Sequence, residues 1–153
     1  MRKINISILL GLLLILTSFN SLNPSQYRLK TVVIDAGHGG KDPGARGKIS
    51  WEKDIALAIS LELGRILKEN MPAINVVYTR KDDRFLTLYK RSEIANKSNA
   101  DLFISIHADS FSKSSVYGAT TYLMGLSKTS ANMNVAKREN SVIFLEENYE
   151  DTY

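Results

Sequence analysis

Two histidines, His38 and His107, are the only imidazoles in the chain, and both sit directly after short apolar runs. His38 follows Thr31-Val32-Val33-Ile34-Asp35-Ala36-Gly37, and His107 follows Leu102-Phe103-Ile104-Ser105-Ile106. A continuous β-branched run closed by glycines reads as a strand buried on both faces of a parallel sheet. If the two strands run parallel, both imidazoles emerge at the carboxyl edge, where open α/β sheets bind ligands. Glu52, at the start of the helix after the first loop, belongs to the same edge. Two imidazole nitrogens and one carboxylate oxygen form a ligand set for catalytic Zn²⁺ that leaves a position for water. Asp35, Asp42, Asp54 and Asp109 are rival carboxylates that spacing alone does not eliminate.

The elements that must place these residues follow from periodicity. The loop from Ala36 to Ser50 carries five glycines and Pro43, a length and composition that suit a functional loop. Ser50 is a plausible N-cap for a helix from Trp51, with Ile55, Ile59, Leu63, Ile66 and Leu67 at helical spacing. Residues 74–79 read as a second strand. Thr87 caps a second helix, through about Asn96, that buries Leu88, Ile94 and Ala95. The third strand ends at His107, residues 118–124 read as a fourth, and residues 130–147 as a last helix with Val135, Val142 and Leu145 inward. Its end, with Glu146, Glu147 and Glu150, reads as solvated. Alternating strands and helices at this spacing imply parallel strands joined by crossovers.

Bulk composition narrows the classes. With 153 residues, 44% hydrophobic and 24% charged, the chain is long enough for one domain with its own core. The formal charge of +4 includes Arg2 and Lys3, too little basicity to suggest a nucleic-acid partner. The absence of cysteine excludes disulfides and thiolate ligands. Residues 1–20 read as a signal peptide: Arg2-Lys3, then an apolar stretch too short to span a bilayer. Residues 21–29 read as a linker and 30–153 as the domain. An exported chain, periplasmic or at the cell surface and without a stable membrane span once the signal is removed, is expected.

The pieces Val33-Ile34-Asp35-Ala36-Gly37-His38-Gly39-Gly40, Asp42-Pro43-Gly44-Ala45, Glu52, Tyr78-Thr79-Arg80, Leu88-Tyr89-Lys90-Arg91 to Ala95-Asn96, and Phe103-Ile104-Ser105-Ile106-His107-Ala108-Asp109 together resemble one family. It is the zinc-dependent N-acetylmuramoyl-L-alanine amidases (amidase type 3), and the likeness covers about Lys30 to Asn140. The resemblance implies a mixed, largely parallel sheet flanked by helices in three layers, a Zn²⁺ cofactor, and His38, Glu52 and His107 as its ligands. It implies hydrolysis of the amide between N-acetylmuramic acid and L-alanine in peptidoglycan, with an activator protein among the conceivable partners. The family's general-base glutamate lies on a late strand, so it is expected beyond Tyr153, together with the last strand and helix. No catalytic base is therefore assigned within the chain; the alternative is a silent zinc- or peptidoglycan-binding module. Arg80 is a candidate for gripping a stem carboxylate. Arg91 reads as a structural ion pair with Asp82, Asp83 or Glu93. Asp35 and Asp109, beside the histidines, are candidates for orienting them.

Overall fold

The computed structural model describes residues 28–109, 113, 115–123, 130–147 and 149–152. The expected signal peptide and most of the linker lie outside these residues. Three parallel strands form the sheet in the order β2-β1-β3: β1 (Thr31–Ala36), β2 (Asn75–Tyr78) and β3 (Leu102–Ile106). β1 is central. Its register sets Val32 against Val76 and Leu102, and Ala36 against Ile106. Alternate side chains of a strand point to opposite faces, yet Val32, Val33, Ile34, Asp35 and Ala36 are all buried. Both faces of β1 are therefore covered, which is what its unbroken apolar run demanded.

Helix α1 (Glu52–Asn70) covers the face of Val32 and Ile34, which pack with Ile74, Leu63, Leu67 and Tyr78. Its contact line differs from the expected one. Ala56, Ser60 and Gly64 are buried, whereas Ile55, Ile59 and Ile66 are exposed. Small residues four apart bring the helix close to a strand already crowded with β-branched side chains. A Cβ on Gly64 would run into the Tyr78 ring, so a larger residue would have to displace that side chain. Trp51, not Ser50, is the N-cap and makes no side-chain cap. Instead the preceding loop folds back: the Glu52 and Lys53 amides donate to the carbonyls of Ala45 and Pro43.

Helix α2 (Leu88–Lys97) starts as expected, with the Thr87 hydroxyl accepting from the Lys90 amide. Arg91 is its one buried residue, and its guanidinium reaches Asp35 on the face of β1 opposite Ile34. Helices thus flank the sheet on both faces. The tail departs from the sequence reading. Helix α3 (Ser130–Glu139) passes into a 3-10 segment (Asn140–Leu145), followed by a short helix α4 (Tyr149–Thr152). Glu146 is buried, not solvated, and its carboxylate accepts from the Leu88 amide, capping α2. Residues 118–123 are exposed and join no strand of the sheet; residue 124 lies outside the described set. No antiparallel strand occurs among the described residues. No helix among them is long and apolar enough to cross a membrane.

Candidate metal centre

Beyond Ala36 the chain leaves the sheet, and its carbonyls lose their ladder partners while still buried. Such groups must find donors. Two arginines supply them. Arg80 donates to the carbonyls of Ala36 (2.9 Å), Gly37 (2.7 Å), Lys53 (2.9 Å) and Asp82 (3.0 Å). Arg91 donates to those of Ala36 (2.8 Å) and His38 (2.7 Å), and its charge is met by Asp35 at 2.7 Å. Asp35 also accepts from Thr79, just past β2, and from Ser105 on β3. The clamp holds His38 at φ 59°, a left-handed conformation that a non-glycine residue keeps only when its surroundings enforce it.

The clamp aims the His38 ring across the sheet edge at His107. His38 Nε2, Glu52 Oε1 and His107 Nδ1 converge with separations of 3.1, 3.1 and 3.2 Å. A fourth donor joins them: Glu139 Oε2, 2.8 Å from His107 Nδ1 and 3.7 Å from His38 Nε2. All four lie within 4.8 Å of one another. Ligands held tetrahedrally at 2.0–2.1 Å from Zn²⁺ would lie about 3.3 Å apart. The donor atoms are therefore already at near-ligating spacing, and nitrogen with carboxylate oxygen is the chemistry zinc takes.

Each donor is fixed from behind. His38 Nδ1 donates to Asp42 at 2.8 Å, which turns Nε2 towards the cluster. Glu52 is buried and accepts from the Ala45 amide on one oxygen and the Ala108 amide on the other, both at 2.8 Å. The His107 ring lies on Gly37, where a Cβ would come within 2.5 Å of it. Burial pulls both imidazoles down, but carboxylate partners outweigh it. Hydrogen bonds to Asp42 and Glu52 push His38 up to about 9; Glu139 and Glu52 push His107 up to about 9. Burial raises Glu52, yet hydrogen bonds from His107, His38 and the two amides hold it well below the usual carboxylate range. The centre is an anionic nest built around two imidazoles, ready for a cation.

The structure brings His38, Glu52 and His107 together and sends the other candidates elsewhere. Arg80 is 2% exposed and spends its donors on backbone, so it faces the loop's interior rather than a stem carboxylate. Arg91 is structural, but its partner is Asp35. Asp35 touches neither histidine; it anchors the arginine that holds the His38 backbone. Asp109 is exposed and pairs with Arg138. The residue that orients His38 is Asp42, one of the rival carboxylates, four residues on. Glu139 was missed, since a glutamate near the end of a polar helix carries no mark of its distant partners.

An α/β domain with a His-Glu-His metal nest at the carboxyl edge of its sheet is the class that fold and site define. The family model described as N-acetylmuramoyl-L-alanine amidase matches residues 32–149, and the chain belongs to that family. Among its relatives is the amidase AmiA of Escherichia coli, 44% identical over 109 residues, 71% of this chain and 36% of AmiA. A putative N-acetylmuramoyl-L-alanine amidase of Buchnera aphidicola is 34% identical over 124 residues, 80% of this chain and 52% of that one. The catalytic domain of CwlV, an N-acetylmuramoyl-L-alanine amidase from Bacillus (Paenibacillus) polymyxa var. colistinus, superposes with a TM-score of 0.54 at 48% identity. That match covers 57% of this chain and 50% of the CwlV domain. The chain spans about half or less of the length of these relatives.

Proposed function

We propose that the chain contributes the zinc-holding part of an exported enzyme that hydrolyses the amide between N-acetylmuramic acid and L-alanine in peptidoglycan. The observation that carries this reading is the convergence of His38 Nε2, Glu52 Oε1 and His107 Nδ1 within 3.2 Å of one another in a chain of this family. His38, Glu52 and His107 would hold the metal. Zinc bound there supplies a Lewis acid for the amide carbonyl and acidifies water towards neutrality. The chain's own residues do the rest of the positioning. Asp42 keeps the His38 proton on Nδ1, and the amides of Ala45 and Ala108 keep Glu52 ionised and fixed. Glu139 would complete a four-ligand protein set, and because a catalytic site keeps one position open, Glu139 would have to withdraw before substrate could enter. The general base would be the family's late-strand glutamate, and no carboxylate of this chain is assigned that role. Residues 1–20 direct export, in keeping with a substrate outside the cytoplasm.

The test is the zinc content of the chain beside Glu52→Ala, with release of stem peptides from purified sacculi by the zinc-loaded protein carrying the family's late-strand glutamate. Zinc-dependent release abolished in the variant supports the reading. One zinc per chain with no release, even with Glu139→Ala, would make the chain a silent binding module instead.

A further inference from the structure

The hydrogen-bonded loop between Ala45 and Glu52 ends in a cavity of about 440 Å³ beside the metal nest, lined by Ala45, Arg46, Lys48, Glu52, Ile55 and Asp109, among others. The loop has a defined shape: the Gly47 amide donates to the Ser50 carbonyl at 2.9 Å, and Arg46 and Trp51 form an antiparallel bridge. The Arg46 guanidinium lies over the Trp51 ring, 5.1 Å from its centroid. Neither Arg46 nor Lys48 has an ion-pair partner among the described residues, while Asp109 in the same wall is neutralised by Arg138. A second cavity of about 350 Å³ shares Ala45, Glu52 and Asp109 with the first, but its basic side chains are already paired, Arg138 with Asp109 and Glu139 and His38 with Asp42 and Glu52. Of the two spaces bordering the nest, only the first offers unspent positive charge.

We infer that this cavity is the subsite for the anionic peptide of the substrate, with Arg46 and Lys48 gripping a carboxylate beyond the scissile amide. The inference rests on the proposed amidase reading and adds a direction to it. The acidic peptide runs over the loop between Ala45 and Glu52, and the sugar occupies the other cavity, against Val142 and Phe144. Arginine suits this role: its fork matches a carboxylate, and Trp51 holds the fork in place by stacking.

Trp51 is the sole tryptophan and lies under Arg46, so its fluorescence reports on a ligand that engages that arginine in the zinc-loaded chain. The zinc-loaded full chain is titrated with N-acetylmuramoyl-L-alanyl-D-glutamate and with the same compound carrying both carboxyls as amides. The free acid is expected to bind about tenfold tighter, the scale of two partly exposed charge pairs. Lys48→Ala, which leaves the Arg46–Trp51 stack intact, should remove part of that preference, and Arg46→Glu with Lys48→Glu should reverse it without changing zinc content. Equal binding of acid and diamide, or a preference that survives the double change, overturns the subsite. Silence of Trp51 in a chain that still releases stem peptides also overturns the subsite while leaving the amidase reading intact. A chain that takes up no zinc brings down that reading itself, and the subsite with it.

Discussion

Asp42→Asn would leave every donor atom of the metal nest in place and remove only the charge behind His38. The Asp42 carboxylate accepts from His38 Nδ1 at 2.8 Å, fixing both the ring and its tautomer. Loss of such a partner lowers metal affinity by about 10- to 100-fold. Competition with a chromophoric zinc chelator measures the change, and unaltered affinity would mean that the contact orients nothing. Protons give a second handle on the same residues. With pKa values pushed up to about 9, both imidazoles carry protons at neutral pH in the metal-free protein, and ligation requires them neutral. Zinc uptake near pH 7 should therefore release protons, and affinity should climb as pH rises towards 9. Calorimetry in two buffers of different ionisation heat checks the sign. For the metal-free fold the linkage runs the other way. A raised histidine pKa stabilises fully below the unfolded value of about 6.5 and loses that contribution as pH rises through about 9.

At the scale of the element, the stretch after β1 holds its shape because Arg80 and Arg91 replace a missing sheet ladder. Removing a buried charged donor leaves several carbonyls unpaired at once, and in the case of Arg91 also strands Asp35. Arg91→Met is expected to cost about 3–5 kcal/mol, the range for breaking a buried ion pair. Denaturant unfolding measures it. A loss below about 1 kcal/mol, the scale of an exposed pair, would refute the clamp. The α1–sheet contact makes a different demand, for closeness. Gly64→Ala would press a methyl into Tyr78, so a substitution that normally favours a helix should here lower the melting temperature. Paired with Tyr78→Ala, which removes the obstructing ring, the same alanine should lose most of its additional cost.

For the whole molecule, the nest places three carboxylates, Asp42, Glu52 and Glu139, around two imidazoles donated by two strand ends, a loop and two helices. A cation that binds this assembled set and not the unfolded chain stabilises the fold by mass action, about 4 kcal/mol at a thousandfold excess over its dissociation constant. Thermal unfolding with zinc, and again after chelation, should differ by several degrees. His107→Ala should erase most of that difference. Among the described residues the sheet ends at β3, where Leu102 and Phe103 are 42% exposed, and the chain spans about half or less of its relatives. The zinc effect is thus to be measured on the full chain with its native tail, since Glu139 and the α2 cap Glu146 both come from that tail.

Much of this was legible in the sequence, and for a definite reason. A strand buried on both faces must be a continuous apolar run, so β1 announced itself; β3, though half-exposed at the edge, carries a similar run, and a histidine just past each of two parallel strands can only reach one edge. Period and position alone brought His38, Glu52 and His107 to that edge; the family resemblance named them as ligands. Periodicity could not tell which side of α1 lies on the sheet. Large apolar residues mark a helix face, but Ala56, Ser60 and Gly64 were selected by closeness, which depends on the side chains of the strand opposite. Nor could it give the direction of a polar side chain. Arg80, Arg91, Asp35 and Asp42 are ordinary loop or helix charges until folding decides which of them meets a stranded carbonyl and which meets an imidazole. Glu139 lies a hundred residues from His38, and only the tertiary packing of α3 over the sheet edge made it a neighbour. Local pattern determined the three strands and the two helices between them; long-range contact energies, invisible to that pattern, decided how the tail folds and which charges the elements share.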